Sequence, residues 1–163
     1  MTAIPEKTVS LLRNAGLTLV TAESCTGGLI AKMITDVSGA SSVFECGIVS
    51  YSNRIKTAIL GVKEETLAKH GAVSEETVTE MALGAIRASG ADVSVAVSGI
   101  AGPLSDNTSK PVGLIWLAVC VNGKVITKRL NNNFDVNIRE NNRNSAANEA
   151  LKLLCETIET AVN

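Results

Sequence analysis

The residues from Leu17 to Ile30, LTLVTAESCTGGLI, limit most strongly how this chain can fold. Apolar and β-branched residues lead into a polar turn, and the turn leads through two glycines into an apolar segment. This order predicts a strand over Leu17–Ala22, a tight turn, and a helix over Gly27–Thr35. The unpaired N–H groups at a helix start carry the positive end of the helix dipole. We therefore expect this turn to favour a phosphate or an oxyanion.

The same patterns recur along the rest of the chain. Apolar periodicity, capping residues and glycine stops predict further helices at Pro5–Asn14, Arg54–Leu60, Lys63–Lys69, Ser74–Ala88 and Asn137–Val162. Apolar runs predict strands at Cys46–Ser52, Val93–Ser98, Gly113–Val121 and Lys124–Leu130, the last two joined by a type I′ turn at Asn122-Gly123. Strands separated by helices, followed by one hairpin, predict the α/β class: a three-layer α/β/α sandwich with a mixed, mostly parallel sheet of about five strands. One domain over residues 1–163 is expected.

Composition excludes several classes of partner. Only 2% of the residues are aromatic, so the core must be aliphatic and the chain has no stacking platform for single-stranded nucleic acid. The 15 basic and 16 acidic side chains nearly cancel, which argues against a general polyanion binder. We expect no nucleic-acid partner.

The cysteines and the single histidine restrict metal chemistry and location. Cys25, Cys46, Cys120 and Cys155 form no CxxC motif, and His70 is the only histidine, so no metal is expected. Cysteines at this density in a chain of this size predict reduced thiols and a cytoplasmic protein. The first residues, MTAIPEKTVSLLRNAG, lack the uninterrupted apolar core of a signal peptide. No apolar run approaches the roughly 18 residues of a membrane span, so no membrane partner is expected.

The first predicted turn holds three potential nucleophiles, Ser24, Cys25 and Thr26. Capping explains the cluster equally well, because such residues are favoured at helix starts. A cysteine in this setting is more often a packed small side chain than a nucleophile. Glu23, at the strand end, either orients a neighbouring amide or faces water.

Tyr51 and Lys56 supply a candidate base for Ser24. A serine needs a base at neutral pH, and with one histidine in the chain a lysine or a tyrosinate is the obvious substitute. Burial or a neighbouring cation lowers a lysine pKa into the useful range, and a tyrosine can relay the proton. The competing interpretation is a surface lysine beside a half-buried tyrosine, which is the commoner environment of these residue types.

A third candidate segment is SGIAGP, from Ser98 to Pro103, which follows an apolar strand. Gly99 and Gly102 allow a tight turn whose N–H groups could face an anion. Strand ends on one sheet edge converge, so we expect this turn to meet the Ser24 and Tyr51 segments. Lys110 is expected to add a positive charge to the shared crevice.

The ordered motifs resemble those of the CinA C-terminal domain family. They are TAESCTGG (21–28), GIVSYSN (47–53) with Lys56, LGV (60–62), HGAVSEE (70–76), VSGIAGP (97–103) and KPVG (110–113). The resemblance implies a mixed-sheet α/β/α fold and a cytoplasmic, often dimeric protein. It also implies a metal-independent amidohydrolase without a cofactor, acting on a small-molecule nucleotide. The expected reaction converts nicotinamide mononucleotide into nicotinic acid mononucleotide and ammonia.

Carried over residue by residue, the resemblance places the catalytic roles on Ser24, Tyr51 and Lys56. Ser24 is expected to attack the carboxamide carbon, with Lys56 as base through or beside Tyr51 and an oxyanion hole from the N–H groups of Thr26 to Gly28. The expected substrate-binding residues are Glu23, Cys25, Thr26, Gly27, Gly28, Asn53, Ser98, Gly99, Ala101, Gly102, Lys110, Arg139 and Arg143.

Two departures from the family pattern keep alternatives open. The GIAGP loop continues as GPLSDNTSKPVG rather than with further glycines, and Asn137-Ile138 stand where a Gly-Asp pair usually precedes Arg139. One alternative is a paralogue that binds a nucleotide or a protein partner without turnover. The other is a hydrolase of another small amide.

Overall fold

The computed structural model describes residues 3–162. Its helices are α1 (Ile4–Ala15), α2 (Leu29–Thr35), α3 (Asn53–Leu60), α4 (Glu64–His70), α5 (Glu75–Ser89) and α6 (Ile138–Val162). Its strands are β1 (Leu19–Glu23), β2 (Phe44–Val49), β3 (Val93–Gly99), β4 (Leu114–Val121) and β5 (Lys124–Asn131). A short 3₁₀ turn at Ala40–Ser42 leads into β2.

The strands form one five-stranded mixed sheet in the order β2-β1-β3-β4-β5. β1 pairs in parallel with both β2 and β3, whereas β4 is antiparallel to β3 and to β5. Only β4 therefore runs against the other strands. The predicted mixed, mostly parallel sheet is confirmed, and the carboxyl ends of β2, β1 and β3 lie at one edge.

Alternating side chains of the central strands fill two hydrophobic layers. Val93, Val95 and Val97 of β3 face a cluster that includes Leu12 of α1 and Leu151 of α6. On the opposite face, a second cluster contains Ala96 of β3 together with Val78, Met81 and Ala85 of α5. Successive residues of a strand point to opposite faces, so both faces of the sheet are covered by helices. This is the predicted three-layer sandwich.

Helix α5 approaches α3 so closely that only glycine fits at the crossing. A Cβ added to Gly84 would lie 1.7 Å from the carbonyl oxygen of Leu60, the last residue of α3. The contact fixes α3, the helix that carries Lys56, against the body of the protein.

The predicted element boundaries shift by a few residues at the sheet edge. β2 ends at Val49 instead of Ser52, and Ser52 is instead the N-cap of α3: its Oγ accepts a hydrogen bond from the N–H of Ile55 at 3.3 Å. Helix α2 starts at Leu29, because Gly27 and Gly28 adopt positive φ angles of 59° and 95°. The connections that follow β1 and β2 are thus longer than predicted.

The hairpin turn follows its predicted geometry. Asn122 and Gly123 both have positive φ angles, 52° and 75°, as a type I′ turn requires. Across residues 3–162, none of the helices combines the length and the apolar character needed to cross a membrane.

Candidate active site

A cavity of about 280 Å³ opens where the carboxyl ends of β1, β2 and β3 meet. Its walls contain Ser24, Cys25, Tyr51, Lys56, Ala72, Val73, the segment 98–102, Leu104, Ser105, Asp106 and Arg139. A larger cavity of about 570 Å³ lies at the other end of the sheet, between the β4–β5 turn and the end of α6. That larger cavity contains none of the predicted catalytic residues, so the smaller one is the candidate active site.

Ser24 and Lys56 form a direct pair in this cavity. The Lys56 Nζ lies 3.0 Å from the Ser24 Oγ, and it also donates to the carbonyl oxygens of Ser50 at 2.8 Å and Tyr51 at 3.4 Å. Lys56 is only 1% exposed. Within residues 3–162, no carboxylate forms an ion pair with it.

Burial changes the protonation of this lysine. It lowers the pKa of the Lys56 amine from 10.5 to about 8. A neutral amine has two N–H bonds and one lone pair. The carbonyls of Ser50 and Tyr51 accept the two N–H bonds, which leaves the lone pair to receive the Ser24 hydroxyl proton. The arrangement suits a general base for a serine nucleophile.

The turn after β1 presents Ser24 at the sheet edge. The Ser24 N–H donates to the Val97 carbonyl of β3 at 3.0 Å, which continues the sheet pairing by one residue. The Ser24 carbonyl then accepts the N–H of Gly27 at 3.1 Å, closing the turn. Ser24 is 9% exposed, so its hydroxyl lies in the cavity wall with little freedom.

Glu23 does not line the cavity. Its carboxylate accepts the backbone N–H groups of Gly28 at 3.0 Å, Ile30 at 3.1 Å and Ala31 at 2.9 Å, and the Thr21 hydroxyl at 3.3 Å. The predicted anion site at the start of α2 is therefore filled by the chain's own side chain. Of the two interpretations of Glu23, the structure places it as the one that orients neighbouring amides.

Cys25 also lines the cavity, but it is not activated. It is 6% exposed, and burial raises the pKa of its thiol to about 12. A thiol with this pKa holds almost no thiolate at neutral pH, and the thiolate is the nucleophilic form. The geometry thus favours Ser24 over its neighbour.

The Tyr51 hydroxyl contacts Arg139 and does not contact the Ser24–Lys56 pair. The Arg139 Nη2 donates to the Tyr51 Oη at 3.0 Å, and only the Tyr51 backbone carbonyl meets Lys56. The tyrosine is 61% exposed, because β2 ends before it and the side chain projects at the cavity mouth. The direct Lys56–Ser24 contact makes a proton relay through the phenol unnecessary.

One face of α6 binds two loops that carry cavity residues, the turn after β1 and the turn after β3. Arg139 Nη1 donates to the Gly102 carbonyl at 3.0 Å, and Asn142 Nδ2 donates to the Ala101 carbonyl at 3.0 Å. Arg143 donates to the carbonyls of Cys25 at 3.2 Å and Thr26 at 2.7 Å. These three side chains, spaced as i, i+3 and i+4, form the α6 clamp. Arg139 lines the cavity, whereas Arg143 lies outside the cavity wall and binds the Ser24 turn through these two carbonyls.

Other predicted binding residues have structural partners. Lys110 lies outside the cavity, where its Nζ donates to the carbonyls of His70 and Val73, both at 2.6 Å. Ser98 lines the cavity but donates its hydroxyl to the Ala72 carbonyl at 2.7 Å. The remaining predicted residues outside the cavity wall are Thr26, Gly27, Gly28, Asn53 and Arg143.

His70, the only histidine in the sequence, is paired elsewhere. Its Nδ1 lies 3.3 Å from the Glu76 carboxylate, and it is not among the residues that line the Ser24 cavity. A serine–histidine triad is therefore not formed at this site. Among residues 3–162, no group of three or more His, Cys, Asp or Glu side chains is arranged to hold a metal ion.

Sequence reasoning missed two groups of residues. Ala72 and Val73 enter the cavity wall only because the loop between α4 and α5 packs beside the end of β3, for which the sequence carries no signal. Asn142 of the α6 clamp was also missed, although its spacing of three residues from Arg139 places it on the same helix face. Leu104 and Ser105 belong to the loop that departs from the family pattern, and both line the cavity.

Comparisons with known proteins identify relatives of this chain. The family model for the CinA C-terminal domain matches residues 1–158. A relative named nicotinamide-nucleotide amidohydrolase PncC, from Escherichia coli K12, is 52% identical over 127 residues, which cover 77% of each chain. A CinA-like protein from Kosmotoga olearia is 51% identical over 149 residues, 91% of this chain and 35% of its own length.

Solved structures give the same result. A crystal structure of a competence-damaged protein (CinA) superfamily protein from Klebsiella pneumoniae matches with a TM-score of 0.91 at 34% identity, covering 96% of each chain. The competence/damage inducible protein CihA from Agrobacterium tumefaciens matches with a TM-score of 0.89 at 40% identity, over 98% of this chain and 97% of its own. The predicted fold class is confirmed.

Proposed function

Because this chain belongs to the CinA C-terminal domain family, we propose that it is an amidohydrolase that converts nicotinamide mononucleotide into nicotinic acid mononucleotide and ammonia. The observation that carries the proposal is the 3.0 Å contact between the Ser24 Oγ and the Nζ of the buried Lys56. The 52% identity to a nicotinamide-nucleotide amidohydrolase supplies the substrate.

Lys56 acts first as a base and then as an acid in the proposed reaction. Neutral Lys56 takes the Ser24 proton while the Oγ attacks the carboxamide carbon. The resulting ammonium returns its proton to the nitrogen of the tetrahedral intermediate, the C–N bond breaks, and ammonia leaves. Water then attacks the acyl-serine with Lys56 as base, and the carboxylate product departs as Ser24 regains its proton.

The backbone N–H of Thr26 is our candidate donor to the oxyanion. Of the three predicted donors, Gly27 already donates to the Ser24 carbonyl and Gly28 to the Glu23 carboxylate. Thr26 is not part of the cavity wall, so this role requires the substrate oxygen to reach its N–H, two residues from the nucleophile; a preorganised N–H there stabilises the developing negative charge of the tetrahedral intermediate. Arg143, which holds the Thr26 carbonyl, fixes the orientation of this segment.

Arg139 is our candidate ligand for the substrate phosphate. It lines the cavity at its exposed side, and a guanidinium offers five N–H donors in a fixed fork. The Gly102 carbonyl and the Tyr51 hydroxyl each accept one of them, which leaves the others for the phosphate oxygens. Tyr51 then orients Arg139 instead of taking part in proton transfer.

The intact Ser24–Lys56 geometry argues against a paralogue that binds without turnover. Loss of catalysis would remove the need to bury a lysine without an anionic partner, yet Lys56 stays 1% exposed and touches the serine. A hydrolase of another small amide has one point in its favour: Leu104, Ser105 and Asp106 border the cavity in the loop that departs from the family.

The decisive experiment measures release of ammonia and nicotinic acid mononucleotide from nicotinamide mononucleotide. Wild type is expected to form both products in equal amounts, and Ser24→Ala to form neither while keeping its circular dichroism spectrum. Ser10→Ala, on the exposed side of α1, is the matched control. Product formation by Ser24→Ala at the wild-type rate would refute the proposed nucleophile, and release from another carboxamide alone would refute the substrate.

We further propose a cytoplasmic homodimer, working in the pyridine nucleotide cycle as a single domain. The four cysteines are free thiols, as expected in a reducing compartment. Val49 and Ile59 expose 49% and 48% of their surfaces on the β2–α3 side, which supplies apolar area for a second copy. Light scattering at micromolar concentration should give twice the chain mass, and a monomer there would contradict the dimer.

A further inference from the structure

We propose that Glu23 is a positioning residue that sets the reacting geometry of Ser24 and Lys56. The inference rests on the proposed use of Ser24 as nucleophile, and it concerns a residue outside the cavity wall. Glu23 is absent from the cavity wall, and four donors of the chain itself already occupy its carboxylate, so it does not bind substrate directly. Its effect on the reaction must pass through the groups that it holds.

The Glu23 side chain closes the turn in which Ser24 stands. Its carboxylate, one residue before the nucleophile, binds the N–H groups of Gly28, Ile30 and Ala31 at the start of α2. The residues between Glu23 and Gly28 are thereby confined to a loop with both ends fixed. A shift of the α2 start relative to β1 would move the Ser24 Oγ away from its 3.0 Å contact with Lys56.

The Glu23 backbone holds the other partner. Its carbonyl accepts the Ser50 N–H at 2.9 Å just beyond the end of β2. The carbonyl of the same Ser50 accepts the Lys56 Nζ at 2.8 Å. One residue therefore anchors the strand end that orients the lysine and the helix start that orients the serine.

Only a carboxylate satisfies the donors around this side chain. Four donors converge on it: three backbone N–H groups and the Thr21 hydroxyl, shared between its two oxygens. A glutamine would turn an NH₂ group toward these donors and leave at least one buried N–H without an acceptor. The negative charge also lies at the positive end of the α2 dipole and is stabilised by it. The N–H groups at the helix start therefore have an acceptor before substrate binds.

The test compares Glu23→Gln and Glu23→Ala with Asp92→Asn. Asp92, which is exposed, is the control for loss of a carboxylate that caps backbone and hydroxyl donors, because it accepts the N–H and hydroxyl of Thr18 at 2.8 and 2.9 Å at the opposite ends of β1 and β3. We expect kcat to fall by about 100-fold in both Glu23 variants with KM within about threefold, as for a lost preorganised contact. Asp92→Asn should keep the wild-type kcat, even where its melting temperature drops.

Added formate distinguishes a variant that has lost the positioning of Ser24 from one that has lost its fold. In Glu23→Ala, formate is expected to occupy the space of the missing carboxylate and to raise kcat by about tenfold, because the Thr21 hydroxyl and the N–H groups of Gly28, Ile30 and Ala31 are left to bind a carboxylate there. Formate should change neither Asp92→Asn nor wild type. A folded Glu23→Gln with wild-type kcat overturns the proposal. The proposal is also overturned if the loss of kcat in each variant equals its unfolded fraction and formate has no effect.

Labelling of Ser24 by a fluorophosphonate keeps this test independent of the substrate. The labelling rate reports the activated serine and is expected to fall about 100-fold in Glu23→Gln. Wild type that labels rapidly but leaves nicotinamide mononucleotide intact would refute the proposed substrate alone. Equal labelling of wild type and Glu23→Gln would refute the role of Glu23 while Ser24 remains the nucleophile. Wild type that labels no faster than Ser24→Ala would refute Ser24 as the nucleophile, and the role of Glu23 with it.

Discussion

The side-chain nitrogen of Lys56 lies 3.0 Å from the hydroxyl oxygen of Ser24, although the two residues are 32 positions apart and follow different strands. The contact needs no third titratable group, because two backbone carbonyls hold the lysine in place. One nitrogen can therefore serve both proton transfers of an amide hydrolysis. This compact arrangement leads to predictions about pH, sulfur chemistry, substrate binding and packing.

We expect kcat/KM to rise with pH and to be half-maximal near pH 8. The neutral form of Lys56 is the base, and burial lowers the pKa of its amine to about 8, so the active fraction grows as pH increases through that value. Initial rates from about pH 6 to about pH 10 test this. A rate that stays flat across the range, or that falls as pH rises to 8, would exclude Lys56 as the base.

The same pKa shift predicts a pH dependence of stability. The folded state releases the Lys56 proton at about pH 8, whereas the unfolded state holds it to about 10.5. Between these values the unfolded chain binds more protons, so this lysine makes the free energy of unfolding rise with pH, by up to about 1.4 kcal/mol per unit. Urea melts of wild type and Lys56→Met should differ in this slope. The exposed Lys32→Met is the control and should keep the wild-type slope.

Cys25 is expected to be dispensable for the chemistry. Its buried thiol has a pKa raised to about 12, so Cys25→Ala should keep kcat within about threefold of wild type. Iodoacetamide should likewise leave the native enzyme active at neutral pH. If Cys25→Ala instead lost as much activity as Ser24→Ala, the nucleophile would have to be reassigned.

Tyr51→Phe and Arg139→Met are expected to raise KM more than they lower kcat. The two side chains contact each other at 3.0 Å at the cavity mouth, and Arg139 is the proposed phosphate ligand. Removal of the guanidinium should raise KM by about tenfold or more, as for a lost charged hydrogen bond. Tyr51→Phe removes only its orienting partner and should have a smaller effect. A kcat for Tyr51→Phe as low as that of Lys56→Met would restore the proton relay through the phenol.

Gly84→Ala should destabilise the protein strongly, although alanine is the better helix former. The added Cβ would meet the Leu60 carbonyl oxygen at 1.7 Å, which forces α3 and α5 apart. We expect a loss of about 2 kcal/mol or more, within the range of overpacked cores. The exposed Ala88→Gly, on the same helix, should lose only about 1 kcal/mol from helix propensity. Thermal melts compare the two, and equal losses would contradict the close packing.

The sequence was most informative where local chemistry decides the structure. Asn122-Gly123 predicted the hairpin turn, and Ser74 predicted the start of α5, since each acts on its immediate neighbours: the Ser74 Oγ accepts the Thr77 N–H at 3.2 Å. Residue types suggested pairing Ser24 with Lys56, because a serine without a nearby histidine needs another base, but capping and a surface lysine explained the pattern too, and the family resemblance selected the catalytic interpretation. The structure puts the two side chains in contact, as that argument required.

Prediction failed where several acceptors or donors compete for one side chain. Lys110 was expected to add charge to the cavity, but its Nζ instead donates to two carbonyls, one at the end of α4 and one in the following loop. Glu23 was expected near the ligand, yet the N–H groups of α2 compete for its carboxylate. Asn142 contacts a carbonyl 41 residues away, a distance over which residue patterns carry no information.

The α6 clamp is synthesised long after the catalytic loops that it holds. Ser24 and Lys56 lie in the first part of the chain, whereas Arg143, which grips the Ser24 turn, follows Cys25 by 118 residues. A ribosome that has made both reacting side chains must still make most of the chain before their loops are held. Nascent or proteolytically shortened chains that lack α6 therefore carry the reactive pair without the hydrogen bonds that hold its loops.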